Sequence, residues 1–233
     1  MITSTPNRFY LWAALAAAAI AFAGFARTYY LKAWFGTPEI SSLVHAHGVV
    51  MTLWVVLFIV QVRLVAMGRR DLHRKLGVAG AVLAVAIVVL GLFTAVSAAR
   101  RGIPVGPPPL VFMAITMSVV VVFAIFVIAA LLYRKRGDYH KRLMVLATLT
   151  VIQPAVARVT VEASGIFHPL LFFGVTDVVL LAFIAWDTWR NRRLHPAFGW
   201  GMAFFLLSQP ARFMVAQSAA WLAFAQWLVG AGQ

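Results

Sequence analysis

Four histidines stand where a redox centre would need them. His47 falls in the outer half of one long apolar run and His168 just ahead of another, while His73 and His140 each open an apolar run at its basic end. Two bis-histidine levels across a helical bundle are what a pair of b-type haems requires, because each iron takes two axial imidazoles. The same placement suits interfacial histidines at helix N-termini, flanked by arginine and lysine that meet lipid phosphate. Cysteine is absent. Thiolate metal sites, disulfides, a cysteine nucleophile and covalent c-type haem attachment are thereby excluded.

Other chemistry-bearing residues gather toward the same side as His47. His45 and His47 form an H-x-H pair that, with His168, offers imidazole ligands to a metal. On a regular helix these two side chains point about 200° apart, so one ion uses both only where that turn is distorted. Asp177 lies eight residues past Pro169, about 12 Å down a helix and so near the membrane midplane. A carboxyl at that depth has to face the bundle and be protonated, paired or hydrated. Arg158 and Glu162 are four apart and share a helix face. With Asp177 and Arg212 they make up an expected intramembrane polar cluster, either structural or functional.

The elements that must position these residues are membrane helices. Of 233 residues, 63% are hydrophobic and 11% charged, against about a quarter charged in a soluble domain. Charge-free stretches and a need for roughly 20 residues per crossing predict an all-α bundle, one transmembrane domain over 1–233. Its seven spans run approximately over 9–30, 38–67, 72–98, 109–134, 139–162, 169–190 and 197–216. Thr37-Pro38-Glu39 reads as N-cap, N1 and first-turn acid of the second span. Asp71 and Asp138 are placed to cap the third and fifth. The prolines of 102–109 predict an extended loop, and Pro169 suits N1 of the sixth span with His168 at the cap.

The last apolar segment is too long for one crossing. A kink near Pro210 is expected, followed by an interfacial helix over about 218–230 whose Trp221, Phe224, Trp227 and Leu228 share a broad face. The first run lacks a convincing cleavage site and reads as a span, not a signal peptide. The net charge of +14 comes from short loops between apolar runs, which marks topology, not a nucleic-acid groove. With the N-terminus inside, fourteen Lys and Arg face the cytoplasm and six face out. This arrangement predicts a cytoplasmic N-terminus and, in a bacterial inner membrane, a periplasmic C-terminus.

Gly68-Arg-Arg-Asp-Leu-His-Arg-Lys-Leu-Gly77 and Arg136-Gly-Asp-Tyr-His-Lys-Arg-Leu-Met144 are alike, each opening an inside-to-outside helix. A duplicated hairpin and convergence of two basic turns both account for this. With His45-Ala-His47-Gly48, these motifs resemble an uncharacterised family of bacterial seven-helix membrane proteins over most of the chain. More distantly, His47-Gly-Val-Val-Met51 and the basic turn before Leu72-His73 resemble the ascorbate-reducible transmembrane cytochromes b. That resemblance implies two haems on a four-helix core, one pair of ligands on the first and third core helices and one on the second and fourth. His47, His73 and His140 match three of the four places. The fourth falls on the fourth span, where Met113 and Met117 stand and histidine does not.

Three classes of function compete. One is a redox or electron-transfer protein holding haem b or a metal through His45, His47, His73, His140 and His168, with Arg74 or Arg142 pairing haem propionates. Another is an accessory subunit whose apolar faces meet lipid and other subunits of a membrane complex. The third handles a small molecule or lipid at the Asp177 cluster, a metal-dependent hydrolase included. A retinal photoreceptor is disfavoured because the seventh span has no lysine for a Schiff base. No ladder of arginines suggests a voltage sensor.

Overall fold

The computed structural model describes residues 8–102, 106–166 and 168–231, so part of the loop expected over 102–109 lies outside the described residues. Everything regular within them is helical. α1 (Arg8–Phe25) runs on through a π-helical turn (Ala26–Tyr30) into the short α2 (Lys32–Phe35), which ends at Gly36 in the left-handed region, φ 59°. Then follow α3 (Ser42–Ala66), α4 (Arg70–Arg101), α5 (Pro109–Leu132), α6 (Gly137–Val151), α7 (Gln153–Ser164), α8 (Pro169–Asn191), α9 (Pro196–Gln217) and α10 (Ala219–Gly230). Among the described residues six helical stretches are long and apolar enough to cross a membrane, α6 and α7 counting as one, and α9 with α10 makes up to a seventh. The chain is an integral multi-pass membrane protein.

Local chemistry moves several expected boundaries. The cap of α3 is Ser41, whose hydroxyl accepts from the Val44 N–H, and not Thr37. Thr37 instead donates to the carbonyls of Arg27 and Lys32, at 3.0 and 3.1 Å, and ties down the end of the first hairpin. Asp71 and Asp138 sit inside the first turns of α4 and α6, one place past the helix start, and the cap positions belong to Arg69 and Arg136. A first-turn acid still meets the positive helix end. The fifth span is broken at Ile152, because Pro154 has no N–H and its ring crowds the carbonyl four residues back. The expected kink at Pro210 is displaced: α9 continues through that proline, and the 71° bend falls at Ser218. Ser218 caps α10 by accepting from the Trp221 N–H at 3.2 Å.

The core is built around α6. From Arg142 to Val151 every residue but Met144 is buried. Small and hydroxylic side chains, Ala147, Thr148 and Thr150, let neighbouring backbones approach it, as membrane interfaces require. Phe123 and Phe126 of α5, Leu146 and Leu149 of α6, and Phe198 and Phe205 of α9 fill the centre. The other faces turn outward, as the exposed Val78, Val82, Val85 and Phe93 of α4 show. α10 closes one end by setting Ala225 against Ala95, Ala99 and Met113. Arg100 holds it there, donating to the carbonyls of Leu228 and Val229. Of the face expected to lie in the interface, Trp221 and Leu228 pack inward on this cluster while Phe224 and Trp227 stay exposed.

Candidate functional site

His73 and His140 come together. Each stands in the first turn of its helix, α4 and α6, and their ring centres are 6.2 Å apart with the planes at 84°. His140 Nδ1 lies 2.8 Å from the Ala130 carbonyl. A carbonyl only accepts, so Nδ1 carries the proton and Nε2 keeps its lone pair. His73 Nδ1 is enclosed and has no partner among the described residues. Beside it, Gln61 Nε2 donates to the His73 carbonyl at 3.2 Å, and the Gln61 Oε1 atom is enclosed and unpartnered too. Metal–imidazole bonds run about 2 Å, and the ring centre sits about 1 Å behind its nitrogen, so two axial imidazoles on one ion stand about 6 Å apart. A fixed tautomer on a backbone carbonyl is the usual support of a metal-ligating histidine. The separation of the two ring centres matches that of two axial imidazoles on one iron.

The outer histidines do not converge in this way. His45 is exposed and turns to Tyr29, whose hydroxyl is 3.3 Å from its Nδ1. His47 has an enclosed, unpartnered Nδ1 and lies beside Gly91 of α4. His168 is exposed ahead of α8 and makes no side-chain cap bond. Among the described residues, no ring contact joins His47 to His168, and no three His, Asp or Glu side chains gather as a metal-ligand set.

Two polar networks brace the bundle. At the basic end, Arg142 meets Asp187 of α8 through Nε at 2.9 Å and Nη2 at 2.8 and 3.0 Å. Tyr10 of α1 donates to the same carboxylate at 3.2 Å, and Arg142 Nη1 donates to the Asp138 carbonyl at 2.9 Å. His195 accepts the Ala197 N–H at Nδ1, so its Nε2 carries the proton and donates to Asp138 at 3.1 Å. Sequence reasoning missed Asp187, Tyr10 and His195. Two signals were there: an acid near a helix C-terminus, where the dipole disfavours it, and a histidine directly before the N1 proline of α9. Because Arg142 is spent on this network, of the two arginines expected to meet propionates only the exposed Arg74 is free among the described residues.

The second network divides the expected Asp177 cluster. Asp177 is half-buried and accepts from Gln209 of α9 at 2.6 Å. Arg212 donates to Gln153 at 2.9 Å and to Ser208 at 2.9 Å. Arg158 turns away toward α1, reaching Thr28 at 3.5 Å and lying over the Phe25 ring. Glu162 is exposed one helical turn further along α7. Gln153, the first residue of α7, is wholly buried and meets Arg212 there. No protein-family model, curated protein or solved structure matches this chain.

Proposed function

We propose that this membrane protein holds one b-type haem between His73 and His140 and carries electrons at the basic end of the bundle. The reading is supported by the imidazole pair: two ring centres 6.2 Å apart, with His140 locked by Ala130 so that Nε2 is free to ligate. When bound, haem supplies a one-electron couple whose potential is set by its axial ligands and surroundings. The chain's own residues do the rest. Ala130 orients His140, Gln61 holds the backbone of His73, and Arg74 is free to meet a propionate. The network of Arg142, Asp187 and Tyr10 fixes the start of α6 against α1 and α8, and so fixes the depth of His140. The positive-inside count assigns this end to the cytoplasm.

The test is the reduced-minus-oxidised absorption spectrum of the purified full chain, produced with haem supplied. A Soret and α-band pair is expected, lost in His73→Ala and in His140→Ala and kept in His47→Ala. A colourless preparation, or bands that survive both of the first two changes, overturns the reading.

A further inference from the structure

Among the described residues the bundle buries two arginines, and only one of them is in hydrogen-bonding contact with a carboxylate. Arg142 takes the Asp187 carboxylate through Nε and Nη2. Arg212 is as deeply enclosed, 3% exposed, yet its two hydrogen bonds go to neutral oxygens, Gln153 Oε1 and Ser208 Oγ. A guanidinium offers five N–H donors. Its Nε is enclosed with no partner among the described residues, and so is the amide Nε2 of Gln153, a side chain that is 0% exposed. The rings of Phe173 and Phe205 flank the guanidinium at 5.8 and 5.7 Å. Asp177 is close enough to act on Arg212 electrostatically, but it is engaged by Gln209 and makes neither an ion pair nor a hydrogen bond with Arg212 among the described residues, so it fills none of the spare N–H groups. Buried donors without acceptors are rare and call for a ligand or ordered water. Here a cation joins them, and an anionic oxygen satisfies both the charge and the spare N–H groups.

The surroundings say where such an oxygen comes from. Ser208 and Asp177 are partly exposed, and the residues beside them, Val175, Val178 and Leu207, are apolar and face outward. Along these spans the outside is hydrocarbon, so the approach is lateral, from the lipid. Arg212 lies five residues from the end of α9, about 8 Å below it by helix rise. This is a depth that the head of a single-chain lipid reaches while its tail stays in the bilayer. We propose that Arg212, Gln153 and Ser208 form an intramembrane site for the carboxylate of a long-chain fatty acid. The site is separate from the histidine pair. Gln153 is thirteen residues beyond His140, about 20 Å along the span, so the fate of the haem reading does not bear on it.

The experiment measures binding of radiolabelled palmitate to the full chain in phosphatidylcholine nanodiscs, with empty nanodiscs as reference. One saturable equivalent per chain is expected. Arg212→Gln should weaken it at least tenfold and Ser208→Ala several-fold, while Arg158→Gln leaves it unchanged. Methyl palmitate, which keeps the carbonyl and loses the charge, should not compete. If it competes equally, the carboxylate assignment is overturned. Should Arg212→Gln fail to assemble, a palmitate analogue with a photoreactive diazirine beside the carboxyl decides on the unaltered chain. Crosslinks should map to 172–178 of α8 and 205–213 of α9. Crosslinks elsewhere, no binding above the empty discs, or full binding by Arg212→Gln overturn the proposal.

Discussion

Arg142 and Asp187, 45 positions apart in sequence, form a pair in which both side chains are almost wholly buried, 4% and 1% exposed. The pair joins α6 to α8, and Tyr10 adds α1 to the same carboxylate. Attraction between buried charges is largely offset by their desolvation, but removing one partner strands the other. Asp187→Asn and Arg142→Gln should therefore each lower stability by about 3–5 kcal/mol. The combined Arg142→Met, Asp187→Leu chain should recover most of that loss. Thermal unfolding of the four proteins in one detergent checks this. Additive losses in the double variant would show that the two residues act independently.

Gly24 should tolerate no side chain. A Cβ there would lie 2.6 Å from the Ala155 Cα and closer still to its carbonyl oxygen, and both are backbone atoms that cannot rotate aside. Gly24→Ala should part α1 from α7 and cost about 1–3 kcal/mol, as overpacking does. Gly174, within α8, meets nothing within 4 Å. Gly174→Ala should be neutral or stabilise by up to about 1 kcal/mol. The difference between the two melting temperatures is the measurement.

The ion pair of Lys32 and Glu39, 2.7 Å apart, joins a partly buried ammonium to an exposed carboxylate and lies outside the spans. The Lys32 ammonium, by hydrogen bond and charge, holds the Glu39 carboxyl below the usual carboxylate range. A carboxyl with a depressed folded value contributes stability above its ordinary titration range and loses it as pH falls through the depressed value. Carboxyl 13C NMR should place the Glu39 midpoint lower in the unaltered chain than in Lys32→Met. Any stability advantage over Lys32→Met should shrink on acidification. Coincident midpoints would show that the contact does not persist in solution.

The absence of native cysteine makes topology directly measurable. Single cysteines at Lys135, in the turn between α5 and α6, and at Gly106, ahead of α5, stand at opposite ends of one helix. An impermeant thiol reagent outside intact bacterial cells should label the second only, with the first reached after permeabilisation. The reverse pattern would invert the assignment of the basic end.

Composition and the lengths of the charge-free runs were enough to establish an all-α membrane bundle and to place six of its spans to within a few residues, while the seventh expected span qualifies only together with α10. Burial of apolar surface in lipid acts on each helix separately, so it can be read along the chain. Ends were less legible. Thr37 and Ser41 both qualify as caps, and only the tie of Thr37 back to Arg27 decides for Ser41. Pro154 and Pro210 are both prolines within apolar helices. One breaks its helix and the other does not, because neighbouring packing settles whether a freed carbonyl finds another arrangement.

The residues that brace the interior were legible only as types. His73 and His140 were singled out by matched depth, which is a property of position along each helix. Whether two such rings come together depends on the placement of α4 against α6, and α5 packs against both. Asp187 went unremarked along the chain, and only the placement of Arg142 against it shows its role; Asp177 was expected to find a polar partner, and the side chain that hydrogen-bonds it is Gln209. Sequence determines which polar groups the membrane must hide. Tertiary structure alone decides their partners, because a buried charge is satisfied by whichever side chain shares its depth and also its azimuth.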